Sequence, residues 1–120
     1  MENRQIKFRA WDKSCNKMRV ENGLKDCFSL RSDGLSNDDY ILMQFTNHLD
    51  KNGKPIYEGD ILTNSYGKID VVIFYENGFF GKSKSNMGKN HCWYNPLSSD
   101  YIKNKEVIGN IYENTELLKK

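Results

Sequence analysis

Two Asn-Gly pairs, Asn52-Gly53 and Asn77-Gly78, constrain the fold of this chain more than any other feature. Both residues of such a pair accept the positive φ angles that a tight type I′ hairpin turn requires. Short apolar runs flank each pair, and the remaining glycines, asparagines and prolines separate similar runs along the chain. Apolar runs separated by turn-forming residues in this way are typical of short strands joined by turns. The sequence therefore predicts antiparallel hairpins rather than helices.

The apolar runs have the length and alternation of strands. The run "QIKFRAW" alternates between two faces, one with Ile6, Phe8 and Ala10 and the other with Lys7, Arg9 and Trp11. The run "KIDVVIFY" is apolar on both faces, which is typical of a central strand. Further strands are expected near Ile41, Ile61, Phe80 and Ile108. The segment "SNMGKNHCWYNP" is expected to be a loop, or an aromatic strand over residues 91–94. The stretch Ser32–Asp39 is expected to be a mobile loop.

A short helix, "ELLKK", with Asn114 or Thr115 as its cap, should end the chain. The predicted fold class is therefore mainly β, α+β at most: a small, strongly bent antiparallel sheet or barrel with a short C-terminal helix. The length of 120 residues fits a single domain, 1–120.

Composition limits the classes of protein to which the chain can belong. Hydrophobic residues make up 38% and charged residues 28%, which permits a small core and excludes disorder throughout. The longest apolar run is too short to span a membrane, and the N-terminus lacks an apolar signal core, so we expect a cytoplasmic protein with no membrane partner. Cys15, Cys27 and Cys92 lack zinc-ligand spacing and are expected to be free thiols.

Three separated stretches, "IKFRAWDKSCNKM", "MQFTNHLDKNGKPIYEGDIL" and "EVIGNIYENTELL", carry a resemblance over nearly the whole chain. In order and spacing they resemble the YopX family, small proteins encoded mostly by phages and prophages of low-GC bacteria. Two positions depart from the family pattern: Asn47-His48 stands where Gly-Leu is usual, and Thr115 where proline is usual. The resemblance implies a compact, mainly β domain carried on a mobile genetic element, and it supplies no catalytic residues.

The stretch "NHLDKNGKPIYEGDIL" carries four residues with oxygen ligands, Asp50, Asn52, Glu58 and Asp60, which suggest a calcium loop. The spacing excludes an EF-hand: counted from Asp50, the glycine (Gly53) is the fourth residue, whereas an EF-hand loop has its glycine at the sixth position. We therefore expect no metal and interpret these residues as turns. The predicted structural turn residues are Asn52, Gly53, Gly59, Asp60, Asn77 and Gly78.

No constellation of residues identifies an enzyme. Glu58 and Asp60 could share one side of a strand as a carboxylate pair, but nothing in the sequence indicates a pocket that would shift a pKa. Cys92 as nucleophile with His91 as base is a second candidate, but neighbouring residues of a strand point to opposite faces and cannot share a proton. His48 would then be the only other histidine available as a base. We expect no catalytic residues and no cofactor.

Binding is the remaining class of function. Lys7, Arg9 and Trp11 would share one face of a strand, where charges and a ring suit single-stranded nucleic acid. The lysines of "KSKSNMGK", namely Lys82, Lys84 and Lys89, could extend that face. The net charge of only +2 does not by itself indicate such a partner.

Protein association explains the aromatic residues Trp93, Tyr94 and Tyr101 at least as well. Our leading hypothesis is an accessory protein that acts by binding rather than catalysis, through self-association, a host or phage protein, or both. The alternatives are a nucleic-acid-binding small-barrel module and a sequestering protein that captures a host factor or a small signalling molecule.

Overall fold

A computed structural model describes residues 6–20, 40–84 and 92–118, with the side chain of Lys84 excepted. The chain forms two compact units, Met1–Phe45 and Thr46–Lys120, which are taken in turn. The expected mobile loop at Ser32–Asp39, together with Cys27, Lys89 and His91, lies outside the described residues.

The first unit contains two short strands and the start of a long one. These are β1 (Phe8–Asp12), β2 (Lys17–Val20) and β3 (Tyr40–Leu49), which continues into the second unit. Strand β1 pairs antiparallel with β2 on one side and with β3 on the other, so that Ala10 lies opposite both Arg19 and Leu42. Strands β1 and β2 thus form an antiparallel hairpin.

The turn between β1 and β2 is organised by one carboxylate. Asp12 accepts hydrogen bonds from the backbone N–H of Ser14 (3.0 Å), from the Ser14 hydroxyl (2.6 Å) and from the guanidinium of Arg19 (2.9 Å from Nη2). The hydrogen bond from the Ser14 hydroxyl lowers the pKa of Asp12 most, and burial alone would raise it. With the hydrogen bonds from Arg19 added, the pKa of Asp12 lies far below its usual range. The turn therefore carries an ionised aspartate over the whole physiological pH range.

Burial along β1 departs from the expected alternation. Ile6, on the apolar face of the alternating run, precedes β1 and is 69% exposed, whereas Arg9 and Trp11, on the opposite face, are each only 8% exposed. The alternating pattern predicted one covered face, and the structure covers both faces of the strand from Arg9 onward. A tryptophan has enough apolar area to be drawn into a core even from the nominally polar face of a strand.

The second unit contains most of the strands. They are the end of β3, β4 (Pro55–Tyr57), β5 (Asp60–Thr63), β6 (Ile69–Tyr75), β7 (Gly78–Lys84), β8 (Cys92–Pro96) and β9 (Glu106–Asn110), with a short helix α1 (Ser99–Ile102) before β9 and a 3-10 turn (Thr115–Leu118) after it. The "NHCWYNP" stretch therefore contributes the strand β8, the second of its two predicted alternatives.

Five of these strands form one antiparallel sheet in the order β8-β7-β6-β5-β9. The central position of β6 is the one that its two-sided apolar run predicts. One face of this sheet carries the core of the unit, where buried apolar residues pack with Leu97 and Tyr101 beside them: Ile56, Leu62, Val72, Ile102 and Val107. We call this the core face, and the other side of the same sheet the outer face.

The turns differ from the type I′ hairpins that the Asn-Gly pairs predicted. In the first hairpin turn Gly53 has a positive φ angle (+83°), but Asn52 does not. In the second turn Glu76 has a positive φ angle (+53°), but neither Asn77 nor Gly78 does. In the first turn Gly53 N–H donates to the Asp50 carbonyl (3.0 Å). The second turn is shifted by one residue, since Gly78 already pairs with Tyr75. Both hairpins form, but neither has the predicted turn type.

Gly59 and Asp60, two of the predicted turn residues, form the "EGD" turn before β5. Gly59 has φ +85°, and its N–H donates to the Val72 carbonyl (2.8 Å). Asp60 is buried and accepts a hydrogen bond from the N–H of Tyr57 (2.8 Å). Asn47, where the family pattern has glycine, also has positive φ, +67°. Asparagine tolerates this region better than most residues, which explains how it replaces glycine there.

The predicted fold class is confirmed: the chain is mainly β, with a bent antiparallel sheet and little helix. In place of the predicted C-terminal helix the described residues form the 3-10 turn. The side chain of Asn114, one of the two predicted caps, accepts a hydrogen bond from the N–H of Asn110 (3.1 Å). None of the helices in the described parts of the chain is long and apolar enough to cross a membrane.

Candidate functional site

The outer face of the five-stranded sheet carries a groove of about 650 Å³. Alternation along β6 places Ile69, Val71 and Ile73 on this face. The register continues it onto β7, where Lys82 lies opposite Val71. We call this depression the sheet groove; it is lined by Gly67, Lys68, Ile69, Val71, Ile73, Lys82, Ser83, Cys92, Ile111, Leu117 and Leu118. Strand alternation places the side chain of Ser83 on the opposite face from that of Lys82.

The segment after β9 supplies the second wall of the sheet groove, and Asn110 fixes its path. The Asn110 Oδ1 accepts from the N–H groups of Tyr112 (3.0 Å) and Glu113 (2.9 Å), while its Nδ2 donates to Glu113 Oε1 (2.8 Å). Asn114 fits because Gly109 has no side chain: a Cβ there would lie 2.6 Å from Asn114 Cγ. These bonds bring the apolar side chains that follow β9 to the sheet.

An exposed aromatic patch lies on the same face, toward the β6–β7 turn. The ring of Tyr75 stacks on Tyr94 (centroids 5.4 Å apart, planes at 21°) and meets Phe80 edge-on (6.3 Å, 76°). Tyr75 and Tyr94 remain 50% and 44% exposed. Lys82 Nζ lies 6.0 Å from the Tyr94 ring centroid. We call Tyr75, Phe80 and Tyr94 the tyrosine patch.

Strand β8 ends the five-stranded sheet, and within the described residues no strand pairs with its outer edge. Its sequence, "CWYNP", contains no charged residue, and Trp93 and Tyr94 are about half exposed. Natural edge strands usually carry charges, prolines or bulges that discourage pairing with another chain. Here only Pro96, at the end of the strand, has that effect.

The core face of the same sheet holds a buried ion pair. Lys105 Nζ lies 3.2 Å from Asp70 Oδ2, and the same oxygen accepts a short hydrogen bond from the Tyr101 hydroxyl. Asp70 and Lys105 are 0% and 6% exposed. Burial and the bond to Asp70 raise the pKa of Tyr101 well above its usual value, so its hydroxyl stays protonated.

Two buried polar atoms beside this pair have no hydrogen-bond partner among the described residues: Asp70 Oδ1 and Ser83 Oγ. The β6–β7 register places Asp70 and Ser83 side by side on the core face. Gly81, the next residue of β7 on that face, leaves room for Tyr101, since a Cβ at this position would lie 2.6 Å from Tyr101 Cζ. The cluster joins α1 and the approach to β9 to the sheet.

Asp50, the first acid of the suspected calcium loop, is occupied by the backbone. Its carboxylate accepts the N–H groups of Asn52 (2.8 Å), Lys54 (2.8 Å) and Val107 (2.9 Å). Burial alone would raise the pKa of Asp50, but the N–H donors, Val107 foremost, lower it below its ordinary value. Asp50 therefore ties the hairpin loop to β9.

The residues considered for catalysis are not gathered into one pocket. His48 and Asp50 line a depression of about 300 Å³, together with Ser99 and Lys103. Glu58 and Asp60 are not among the residues that line it. In the described parts of the chain no three His, Cys, Asp or Glu side chains are grouped as metal ligands would be.

The residues considered for nucleic-acid binding are separated by burial. Lys7 is exposed with its Nζ 4.4 Å from the Phe45 ring centroid, while Arg9 and Trp11 are buried. Lys82 is exposed at the sheet groove, whereas Lys84 has only its backbone described, in β7. The sequence interpretation missed Tyr75 and Phe80 of the tyrosine patch, although their alternation with Ile73 on β6 and Lys82 on β7 places them on one face.

The fold and this face define a small, mainly β protein with an aromatic and apolar surface on its five-stranded sheet. The model of the YopX protein family matches residues 7–119, so the chain belongs to the YopX family. Among solved structures it is similar to protein EF1440 from Enterococcus faecalis, with a TM-score of 0.65 and 24% identity over 96% of this chain and 99% of that chain. That likeness supports the fold alone. No curated protein matches the chain.

Proposed function

We propose that this YopX protein is a phage or prophage accessory protein that acts by binding, in the cytoplasm of the host cell, as a single domain over 1–120. It self-associates through the outer edge of β8 and the tyrosine patch beside it. The observation that carries this proposal is an edge strand without charges next to two stacked and half-exposed tyrosines.

Edge pairing explains how two copies would meet. Main-chain groups of an open edge add a strand from another chain, and an antiparallel pairing of β8 with its copy gives a two-fold symmetric contact. Tyr94 belongs both to β8 and to the tyrosine patch, so the same contact would cover Tyr75. Aromatic residues are enriched at the centres of protein interfaces.

The ionisable groups of the second unit support binding over catalysis because the buried ones already have structural roles. Asp70 is paired with Lys105, and Asp50 holds three backbone N–H groups. A general acid or base needs access to a substrate and a pKa suited to its task. Asp70 is fully buried, and the carboxylate oxygens of Asp50 are occupied by backbone N–H groups.

Sedimentation velocity over a concentration series tests the proposal. At micromolar concentration wild type should sediment as a dimer, with twice the mass of one chain. The double variant Tyr75→Ser/Tyr94→Ser should sediment as a monomer. Tyr66→Ser is the matched control, because Tyr66 is 90% exposed in the β5–β6 turn, away from the patch. A monomeric wild type, or a double variant that keeps the wild-type mass, contradicts self-association at this surface.

Single-stranded nucleic acid is the second candidate partner, favoured by the position of Lys82 beside the exposed ring of Tyr94. A base could stack on the ring while the lysine meets a phosphate. Fluorescence polarisation with mixed-sequence oligonucleotides should then give an affinity that falls steeply with salt, and Tyr94→Ala should remove about 1–3 kcal/mol. Absence of binding at low salt removes this candidate.

A further inference from the structure

The sheet groove differs chemically from the tyrosine patch on the same face. Its apolar lining is aliphatic throughout: Ile69, Val71, Ile73, Ile111, Leu117 and Leu118. Flat rings gain most from aromatic walls, whereas aliphatic walls suit a flexible hydrocarbon chain. The body of a matching ligand is therefore aliphatic.

The charge of the sheet groove has one sign. Lys68 and Lys82 line it, and the described residues that line it include no aspartate or glutamate. Both lysines are exposed, and within the described chain neither is ion-paired. Lys82 lies directly opposite Val71, so a positive charge stands next to the aliphatic wall. A ligand that fits both features carries an anionic group at one end of its apolar part.

The size of the sheet groove, about 650 Å³, falls within the range of small-molecule sites. We infer that the sheet groove binds a free amphiphile with one aliphatic chain and a carboxylate-like anionic head, the head near Lys68 and Lys82. This goes beyond the proposed self-association and does not depend on it. A monomeric chain that binds such a ligand would overturn the former and leave this inference standing.

Isothermal titration calorimetry with dodecanoate, kept below its micellar concentration, tests the inference. One molecule should bind per chain, and each methylene removed from the ligand should weaken binding roughly fourfold. Dodecyltrimethylammonium, with the same chain and the opposite charge, should bind at least about tenfold more weakly, since it would meet the lysines with a like charge. Equal binding of the two amphiphiles overturns the inference, as does the absence of any dodecanoate binding.

Variants assign the site. Lys68→Gln/Lys82→Gln should weaken dodecanoate binding about tenfold or more, while the matched double control Lys54→Gln/Lys103→Gln, at exposed lysines outside the sheet groove, should leave it unchanged. Equal weakening by both pairs would indicate a non-specific charge effect and overturn the site. Circular dichroism checks that each variant is folded.

Two further arms separate other occupants from the free amphiphile. Vesicles of phosphatidylglycerol should not carry the protein into the pellet, and a synthetic peptide of alternating leucine and glutamate should not displace bound dodecanoate. Co-sedimentation that requires Lys68 and Lys82 would identify a membrane surface as the occupant, and displacement by the peptide would identify a protein segment. Either result overturns the assignment to a free amphiphile.

Discussion

Replacing Lys105 with methionine should destabilise the protein strongly, because it leaves the Asp70 carboxylate buried without its cation. The two charged atoms lie 3.2 Å apart, which corresponds to an attraction of roughly 5 kcal/mol at an effective dielectric constant of about 20. Methionine retains most of the aliphatic stem, so little packing is lost. Breaking a buried ion pair on one side costs about 3–5 kcal/mol, and we expect Lys105→Met to fall in that range.

Urea denaturation followed by circular dichroism measures this loss. The matched control is Lys103→Met, the same substitution two residues away at an exposed position, which should change the unfolding free energy by less than about 0.5 kcal/mol. The double variant Asp70→Asn/Lys105→Met should be less destabilised than the sum of the two single variants, since neither charge then remains buried alone. A loss below about 1 kcal/mol for Lys105→Met would refute the reasoning that this pair is desolvated.

Three smaller changes test the turns and the packing of the second unit. Gly59→Val should lower the melting temperature far more than Glu58→Gln, because a β-branched residue at φ +85° costs about 1–3 kcal/mol; equal losses would contradict our interpretation of the turn. Gly81→Ala should destabilise by about 1–3 kcal/mol, since its Cβ would meet the Tyr101 ring, and an unchanged urea midpoint would show that the ring moves freely. Because the pKa of Asp50 is lower in the folded state, its ionised form adds stability above the unfolded pKa of about 3.9, and this stability is lost as pH falls through the folded pKa. In thermal melts the stability difference between wild type and Asp50→Asn should therefore shrink on acidification. A difference that stays constant with pH would contradict this.

Local sequence patterns predicted what local physics determines. The hairpins, the central position of β6 and the positive φ of Gly59 follow from turn chemistry and from apolar runs, which act over a few residues. The turn type did not follow, because the Asp50 carboxylate organises one loop and the pairing of Tyr75 with Gly78 shifts the other. Hydrogen bonds from outside a pair of residues can override the pair's own preference.

The candidate site depends on contacts that no local pattern contains. Asp70 and Lys105 are 35 residues apart, and their pairing requires α1 to return the chain to the sheet. The sheet groove needs Leu117 and Leu118, whose position is set by the side chain of Asn110. Tertiary contacts of this kind fix which alternating face is covered, and the sequence alone left both faces of β6 equivalent.

Affinity capture from host cells during phage growth measures whether this YopX protein binds a second copy of itself through the tyrosine patch, as we propose. Tagged wild type, Tyr75→Ser/Tyr94→Ser and Tyr66→Ser are compared by quantitative mass spectrometry, with an untagged copy of the chain produced in the same cells. Wild type and Tyr66→Ser should retain the untagged copy, and the double variant should lose it while remaining folded. Retention of the untagged copy by all three, or by none, would contradict the claim.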